Sequence, residues 1–272
     1  MGPEKIEETP SAFGRLAALV EALRGENGCP WDKKQTSQSM AVKLLEETYE
    51  LVDAISKAEA AGVCEELGDV LFHIFFIARL FEEENRFGIE DGADGSPRKM
   101  IRRHPHVFGD ASVGGTEDVK RQWHSIKQNE KSGMPPVSVL DSVPRIQPAL
   151  MRAHRISARA AREGFDWTGL SGVLEKVDEE LRELKDAVLE NPEAEDAGSR
   201  AVRLEFGDLL FTLTNVARFL NINPEAALME STEKFEQRFR YMEQVIKDSH
   251  RKMADVDQKE KDEIWNRAKA VI

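Results

Sequence analysis

Carboxylates recur in this sequence at helical spacing, in the company of lysine, and that combination suits the binding of a divalent cation. Lys43-Leu44-Leu45-Glu46-Glu47-Thr48-Tyr49-Glu50 is followed by Glu65-Glu66-Leu67-Gly68-Asp69. Residues three or four apart share a helix face, so Glu47 projects with Glu50, and Glu66 with Asp69. Leu44, Leu51, Val52 and Ile55 mark the expected buried stripe, and Glu46 points further towards solvent. Four carboxylates meeting at the edge of a core repel one another unless a cation sits among them. Ligands that are all oxygen suit Mg²⁺ or Mn²⁺. One such stretch, taken alone, reads better as two solvated acidic faces.

The chain then writes the pattern again. Lys176-Val177-Asp178-Glu179-Glu180-Leu181-Arg182-Glu183 is followed by Glu205-Phe206-Gly207-Asp208. Lys43, Glu47, Glu50, Glu66 and Asp69 correspond to Lys176, Glu180, Glu183, Glu205 and Asp208. A repeated core would show as repeated Leu and Val. Repetition of the charged face points to a repeated site.

The elements that must position these groups are helices. Phe13 to Leu23 carries apolar residues at helical spacing and is broken by Gly25 to Pro30. Trp31 is expected to cover the end of a core, and Cys29 to be packed. The helix bearing Glu47 and Glu50 is expected to end near Gly62. The next, from about Cys64 to Glu83, is apolar nearly all round, as in the buried centre of a bundle. Glu66, Asp69 and His73 form its polar strip. His73 reads as a support or a satisfied core histidine, because the second copy has Thr212 there. Gly88 to Gly95 reads as a loop, without the calcium-binding pattern.

Lys99 and Arg103 then share a face suited to phosphate oxygens, and Trp123 and Lys127 close the first copy. Lys234 and Arg238 repeat the Lys99–Arg103 spacing, and Trp265 and Lys269 repeat Trp123 and Lys127. The expected organisation is a loose tail at 1–11, a first domain at 12–128, a linker at 129–147 and a second domain at 148–272. Asn191 to Ser199 reads as a polar insertion between the second carboxylate pairs.

Composition narrows the classes. A length of 272 residues gives room for two modest domains. A net charge of −12 argues against a partner that is polymeric nucleic acid, which calls for a basic stripe. Two cysteines, Cys29 and Cys64, form no disulfide framework. No signal-peptide pattern opens the chain and no apolar run reaches spanning length, so the expected setting is cytoplasmic, with no membrane partner.

Glu-Glu-x-x-Glu, Glu-x-x-Asp, Lys-x-x-x-Arg and Trp-x-x-x-Lys, in that order and twice over, resemble the MazG family of nucleoside triphosphate pyrophosphohydrolases. The resemblance runs from about Phe13 onward and includes Arg102-Arg103-His104-Pro105-His106-Val107-Phe108. It implies an all-α fold, a tandem repeat of two helical-bundle domains, paired in a homodimer. It also implies cleavage between the α and β phosphates, giving monophosphate and pyrophosphate, with Mg²⁺ as cofactor and Mn²⁺ as its substitute.

Glu180, Glu183, Glu205 and Asp208 are then the expected metal set, with Glu47, Glu50, Glu66 and Asp69 as the first-repeat equivalents. Lys176, Lys234, Arg238 and Lys269 would hold phosphates and Trp265 would lie near the nucleoside. Lys43, Lys99, Arg103, Trp123 and Lys127 are their first-repeat counterparts. Glu179 or Glu180 could orient the water, and the sequence does not choose between them.

Three rivals are weighed against this. A di-iron carboxylate oxidase needs Glu-x-x-His pairs, where both repeats offer Glu-x-x-Asp. A nucleotide sensor keeps the same ligands without turnover. A helical dimer scaffold has no need of Lys, Glu and Trp at repeated spacing.

Overall fold

Helix-forming segments with explicit start signals dictate an all-α architecture. The computed structural model describes residues 11–130, 138–190 and 200–272, and among these no strand occurs. Two units are resolved, Met1–Gly133 and Met134–Ile272. The tail expected at 1–11, apart from Ser11, and the insertion expected at 191–199 lie outside the described residues, as does part of the expected linker.

In the first unit, α1 (Ala12–Arg24) starts at Ser11, whose side chain accepts from the Gly14 N–H. A short 3₁₀ turn (Asp32–Lys34) leads to α2 (Ser37–Ser56), which opens with a reciprocal box. The Thr36 hydroxyl accepts from Ser39 N–H at 3.2 Å, and the Ser39 hydroxyl accepts from Thr36 N–H at 3.0 Å. Three residues, with Ala58 at φ 55°, turn the chain into α3 (Ala60–Glu83). So short a connection makes α2 and α3 an antiparallel hairpin, and α1 packs on α3. Then follow α4 (Ile89–Arg103), α5 (Pro105–Phe108) and α6 (Thr116–Asn129).

Val20, Met40, Phe76 and Leu80 form the core, with Phe72, Phe75 and Ile77 against it. Phe76 is fully buried, and removing its ring would cost about 3–5 kcal/mol. Arg24 fastens three elements together. It forks onto Glu83 at 2.6 and 2.9 Å, donates to the Asp32 carbonyl at 2.6 Å, and lies over the Phe76 ring.

The second unit runs α7 (Ala149–Arg162), α8 (Leu170–Glu190), α9 (Arg200–Phe219), α10 (Pro224–Asp248) and α11 (Gln258–Val271). Helix α9 packs on α8 and α7, and α10 on α11. Met242, Ile246, Val256 and Ile264 make a core between α10 and α11. Pro224 at the first helical position and Asn223 as cap, accepting from Glu225 and Ala226 N–H, start α10 sharply. Arg218 on α9 forks onto Asp166 at 2.5 and 2.9 Å, tying the turn before α8 to the end of α9.

Several local expectations are corrected. Val52 and Ile55 are exposed, and the buried residues of α2 are Met40 and Ala54, so its inward face is rotated from the expected stripe. Helix α2 ends at Ser56, before Gly62, and α3 begins at Ala60. Leu67 and Ile74 are exposed on α3, so that helix is not covered all round within this chain. The Gly88–Gly95 stretch is not a loop: from Ile89 it is helix, opened by Asp91 accepting from Gly88 N–H at 2.8 Å. Trp31 is 55% exposed and covers no core; Asp32 beside it is the buried residue.

Candidate active site

The α2–α3 hairpin brings Glu47, Glu66 and Asp69 together, and the packed helices α8 and α9 do the same with Glu180, Glu205 and Asp208. In each triplet, one carboxylate oxygen per residue lies within 4.8 Å of the others. The cause is helical phase. Glu66 and Asp69 are one turn apart on one helix, as are Glu205 and Asp208, and each pair faces one glutamate of the antiparallel partner helix. Glu50 and Glu183 stay outside the triplets but act on them electrostatically.

Crowding shows in the ionisation. Burial pushes the Glu66 carboxyl up, and Glu50, Asp69, Glu47 and Glu65 add to it. Burial likewise pushes Glu205 up, reinforced by Glu183, Asp208 and Glu180 and opposed by Lys176. A set of oxygen donors that repel each other in this way fits a hard divalent cation.

The two triplets are tethered differently. Glu180 is buried and paired with Lys176 at 2.8 Å, and the same ammonium donates to Glu179 at 2.8 Å. Those two carboxylates hold the Lys176 pKa above its ordinary value. Lys43, its counterpart, lies 5.5 Å over the Trp31 ring. Glu47 instead meets His73, whose Nε2 is 3.3 Å from Oε1. Of the two expectations for His73, a support for Glu47 agrees with this contact, whereas a satisfied core histidine does not, because among the described residues its buried Nδ1 has no partner.

The cationic residues lie on the helices that follow each hairpin. Lys99 and Arg103 are on α4, and Trp123 and Lys127 on α6, where both Arg103 and Lys127 stand over the Trp123 ring at 5.1 and 4.8 Å. Arg103 is already engaged, donating to Glu130 at 2.5 and 3.0 Å while Arg102 donates to the other oxygen at 2.6 Å. These guanidinium contacts pull the Glu130 carboxyl down to about 2.

In the second unit, Lys234 and Arg238 are on α10, and Trp265 and Lys269 on α11. Arg238 keeps a buried Nε without a partner. Among the described residues, Lys269 makes a long contact to Asn266, at 3.5 Å. Among the described residues, no hydrogen bond or ion pair joins Lys234, Arg238 or Lys269 to the carboxylate triplet.

Sequence reasoning missed two features. Glu130, just after α6, meets Arg102 and Arg103 at the end of α4, and no spacing within one helix marks that pairing. Trp265 borders a cavity of about 390 Å³, together with Phe235, Phe239, Met242, Gln258 and Asp262. Gln258 and Asp262 stand seven and three residues before Trp265, the spacing of one helix face.

Comparison with known proteins finds a family model, curated relatives and a solved structure. The model of the MazG nucleotide pyrophosphohydrolase domain matches residues 35–108. The nucleoside triphosphate pyrophosphohydrolase of Escherichia coli K12 is 42% identical over 260 residues, covering 94% of this chain and 96% of its own. The nucleoside triphosphate pyrophosphohydrolase/pyrophosphatase MazG of Thermotoga maritima is 42% identical over 264 residues, covering 97% and 98%. The crystal structure of a mazG-related protein from Thermotoga maritima matches 42% of this chain and 97% of its own, at 25% identity and a TM-score of 0.37.

Proposed function

The chain belongs to the MazG family, and from that premise we propose that it hydrolyses nucleoside triphosphates to nucleoside monophosphate and pyrophosphate, serving nucleotide-pool control. The observation that carries the reading is the pair of carboxylate triplets, each with its ligand atoms within 4.8 Å and each followed by helices bearing Lys, Arg and Trp. Residues 12–128 and 148–272 are read as two MazG-like domains, with the second as the working centre.

The donor set fits Mg²⁺, with Mn²⁺ as the alternative: Glu180, Glu205 and Asp208 offer only oxygens, and Glu183 adds negative charge beside them. Held by these residues, such a cation would polarise the phosphorus centre and lower the pKa of the attacking water. The chain's own residues supply the rest. Glu179 or Glu180 orients the water or takes its proton. Lys176 holds both carboxylates, and its flexible stem lets it exchange one of them for a phosphate oxygen. Lys234, Arg238 and Lys269 offset the charge that builds on the leaving pyrophosphate. The unpartnered Nε of Arg238 gains in such a contact the acceptor it lacks.

In the first unit, Glu47, Glu50, Glu66 and Asp69 make the equivalent set, with Lys43, Lys99, Arg103, Trp123 and Lys127 around it. There Arg103 shares its guanidinium with Glu130, which offsets part of the charge it would offer a phosphate. A homodimer is part of the proposal. Leu45, Tyr49, Leu67 and Ile74 on the first hairpin are exposed, as are Leu181, Phe206, Leu210 and Leu213 on the second. Clustered apolar exposure of this kind marks association surfaces.

The deciding experiment measures products across a panel of nucleoside triphosphates, with and without Mg²⁺. Pyrophosphate as primary product, dependent on the cation, is expected. Orthophosphate as the primary product, from protein free of phosphatase, overturns the proposed bond cleavage.

A further inference from the structure

We propose that the face of α11 carrying Gln258, Lys261 and Asp262 reads the hydrogen-bonding edge of the nucleobase and favours guanine. The inference rests on the nucleoside triphosphate reading of the second unit and adds which nucleotide its cavity prefers. The cavity beside Trp265, about 390 Å³, has the size of a small-molecule site and is walled by Phe235, Phe239, Met242 and Met253. The Phe235 and Trp265 rings lie 5.2 Å apart at 52°. Phe235 sits between Lys234 and Arg238 on α10, and Trp265 lies one turn before Lys269 on α11. The two helices that carry these rings also carry Lys234, Arg238 and Lys269.

Aromatic and thioether walls accept any base by its π face, so they do not discriminate. Selectivity must come from the polar part of the lining, which is Gln258, Lys261 and Asp262. Gln258 Nε2 donates to Asp262 Oδ1 at 2.9 Å, which fixes the amide and leaves its Oε1 as an acceptor. Asp262 as a carboxylate only accepts, and the Lys261 ammonium only donates. Among the described residues Lys261 forms no ion pair, so its charge is available to a ligand.

The face thus offers one donor beside two acceptors. Guanine is complementary to it: O6 accepts from the ammonium, while N1–H and the N2 amino group donate side by side to the carboxylate. Adenine and cytosine place an unprotonated ring nitrogen next to their amino group, and a carboxylate repels that lone pair. Uracil offers a single N–H between two carbonyls.

The test is calorimetric titration of the full chain, in Mg²⁺, with GMP, AMP, CMP and UMP. GMP should bind about tenfold more tightly than the others, the discrimination of one good two-point base contact. Asp262→Asn, checked as helical by circular dichroism, should bring the four within about twofold. Equal binding of the four by the unaltered protein, or a guanine preference that survives Asp262→Asn, overturns the inference. Pyrophosphate release is followed separately on the matching triphosphates. Release without guanine preference leaves the hydrolase reading standing and removes this one. Guanine preference without release from any triphosphate does the reverse.

Discussion

His73 and Glu47 meet across the α2–α3 hairpin, Nε2 to Oε1 at 3.3 Å, and this contact has no equivalent in the second unit. Thr212 stands in the corresponding position there, and Glu180 is held by Lys176 instead. The consequence is a difference in what can move. A buried ring fixed in a helix stays where it is, whereas a lysine on a four-carbon stem can turn from a carboxylate to an arriving phosphate. The same ligand letters are therefore set in a stiffer frame in the first unit than in the second.

That contact predicts a stability effect. His73→Ala removes a buried ring and strips Glu47 of its partner, and should cost about 1–3 kcal/mol. Urea denaturation should show the transition of the first unit moved to lower denaturant. An unshifted transition would mean that the contact contributes nothing.

Divalent cation should stabilise the protein, and less so in acid. Burial and neighbouring carboxylates raise the pKa of Glu66 and Glu205. A carboxyl raised in the fold opposes folding once it is ionised, and this opposition is relieved as pH falls and it takes a proton. Cation binding needs the ionised form. The thermal shift produced by Mg²⁺ should therefore be larger at pH 7.5 than at pH 5. At a concentration one hundred times Kd, one site would contribute about 2.7 kcal/mol. A shift that is equal at the two values, or absent at both, would contradict the cation site.

Glu130 should show the opposite pH dependence. Its pKa is lowered from 4.5 to about 2 by hydrogen bonds from Arg103 and then Arg102. A depressed carboxyl stabilises the fold above its unfolded value and loses that contribution as pH falls through the folded one. Glu130→Gln should thus lower the melting temperature at pH 6 and differ little from the unaltered protein near pH 2. Thermal melts across that range decide it, and a constant difference would rule out the ionised pair as the cause.

Much of the site was legible because its letters follow helix geometry. Glu66 and Asp69 are one turn apart whatever surrounds them, and so are Glu205 and Asp208. What failed was set by tertiary context. The Gly88–Gly95 stretch reads as a loop because each glycine costs about 1 kcal/mol in a helix interior. Asp91 on the Gly88 N–H, and Glu90 and Asp91 in a favourable first turn, help to start the helix. Packing of α4 on α3 and α6 supplies the tertiary support. Trp31 reads as a cover for the end of a core, and it is exposed. Asp32 is buried instead, its carbonyl held by the Arg24 guanidinium, a partner eight residues away that periodicity does not reveal. The Glu130 fork and the Gln258–Asp262 edge were missed for the same reason: their significance depends on which helices face one another.

Association should be measurable. The exposed apolar residues of both hairpins predict a dimer, so light scattering at micromolar concentration should give about twice the chain mass of 30.7 kDa. A mass matching one chain would leave those faces without a partner of this kind and count against the homodimer.

The sharpest comparison sets the two glutamates against each other. Glu180 is buried, paired with a lysine able to exchange partners, and followed by an Arg238 whose Nε is unsatisfied. Glu47 is paired with a fixed histidine, and the arginine that corresponds to Arg238 is already closed onto Glu130. Gln keeps the shape of Glu and loses the charge that holds a cation. Glu180→Gln should therefore remove most pyrophosphate release, about a hundredfold or more if positioning and charge are lost together. Glu47→Gln should reduce it by no more than about threefold, since in that unit Arg103 already donates to Glu130 and Glu47 rests on His73. The measurement is made at saturating Mg²⁺, with circular dichroism confirming that both variants remain helical. If Glu47→Gln is the inactive variant and Glu180→Gln turns over normally, the first unit is the enzyme.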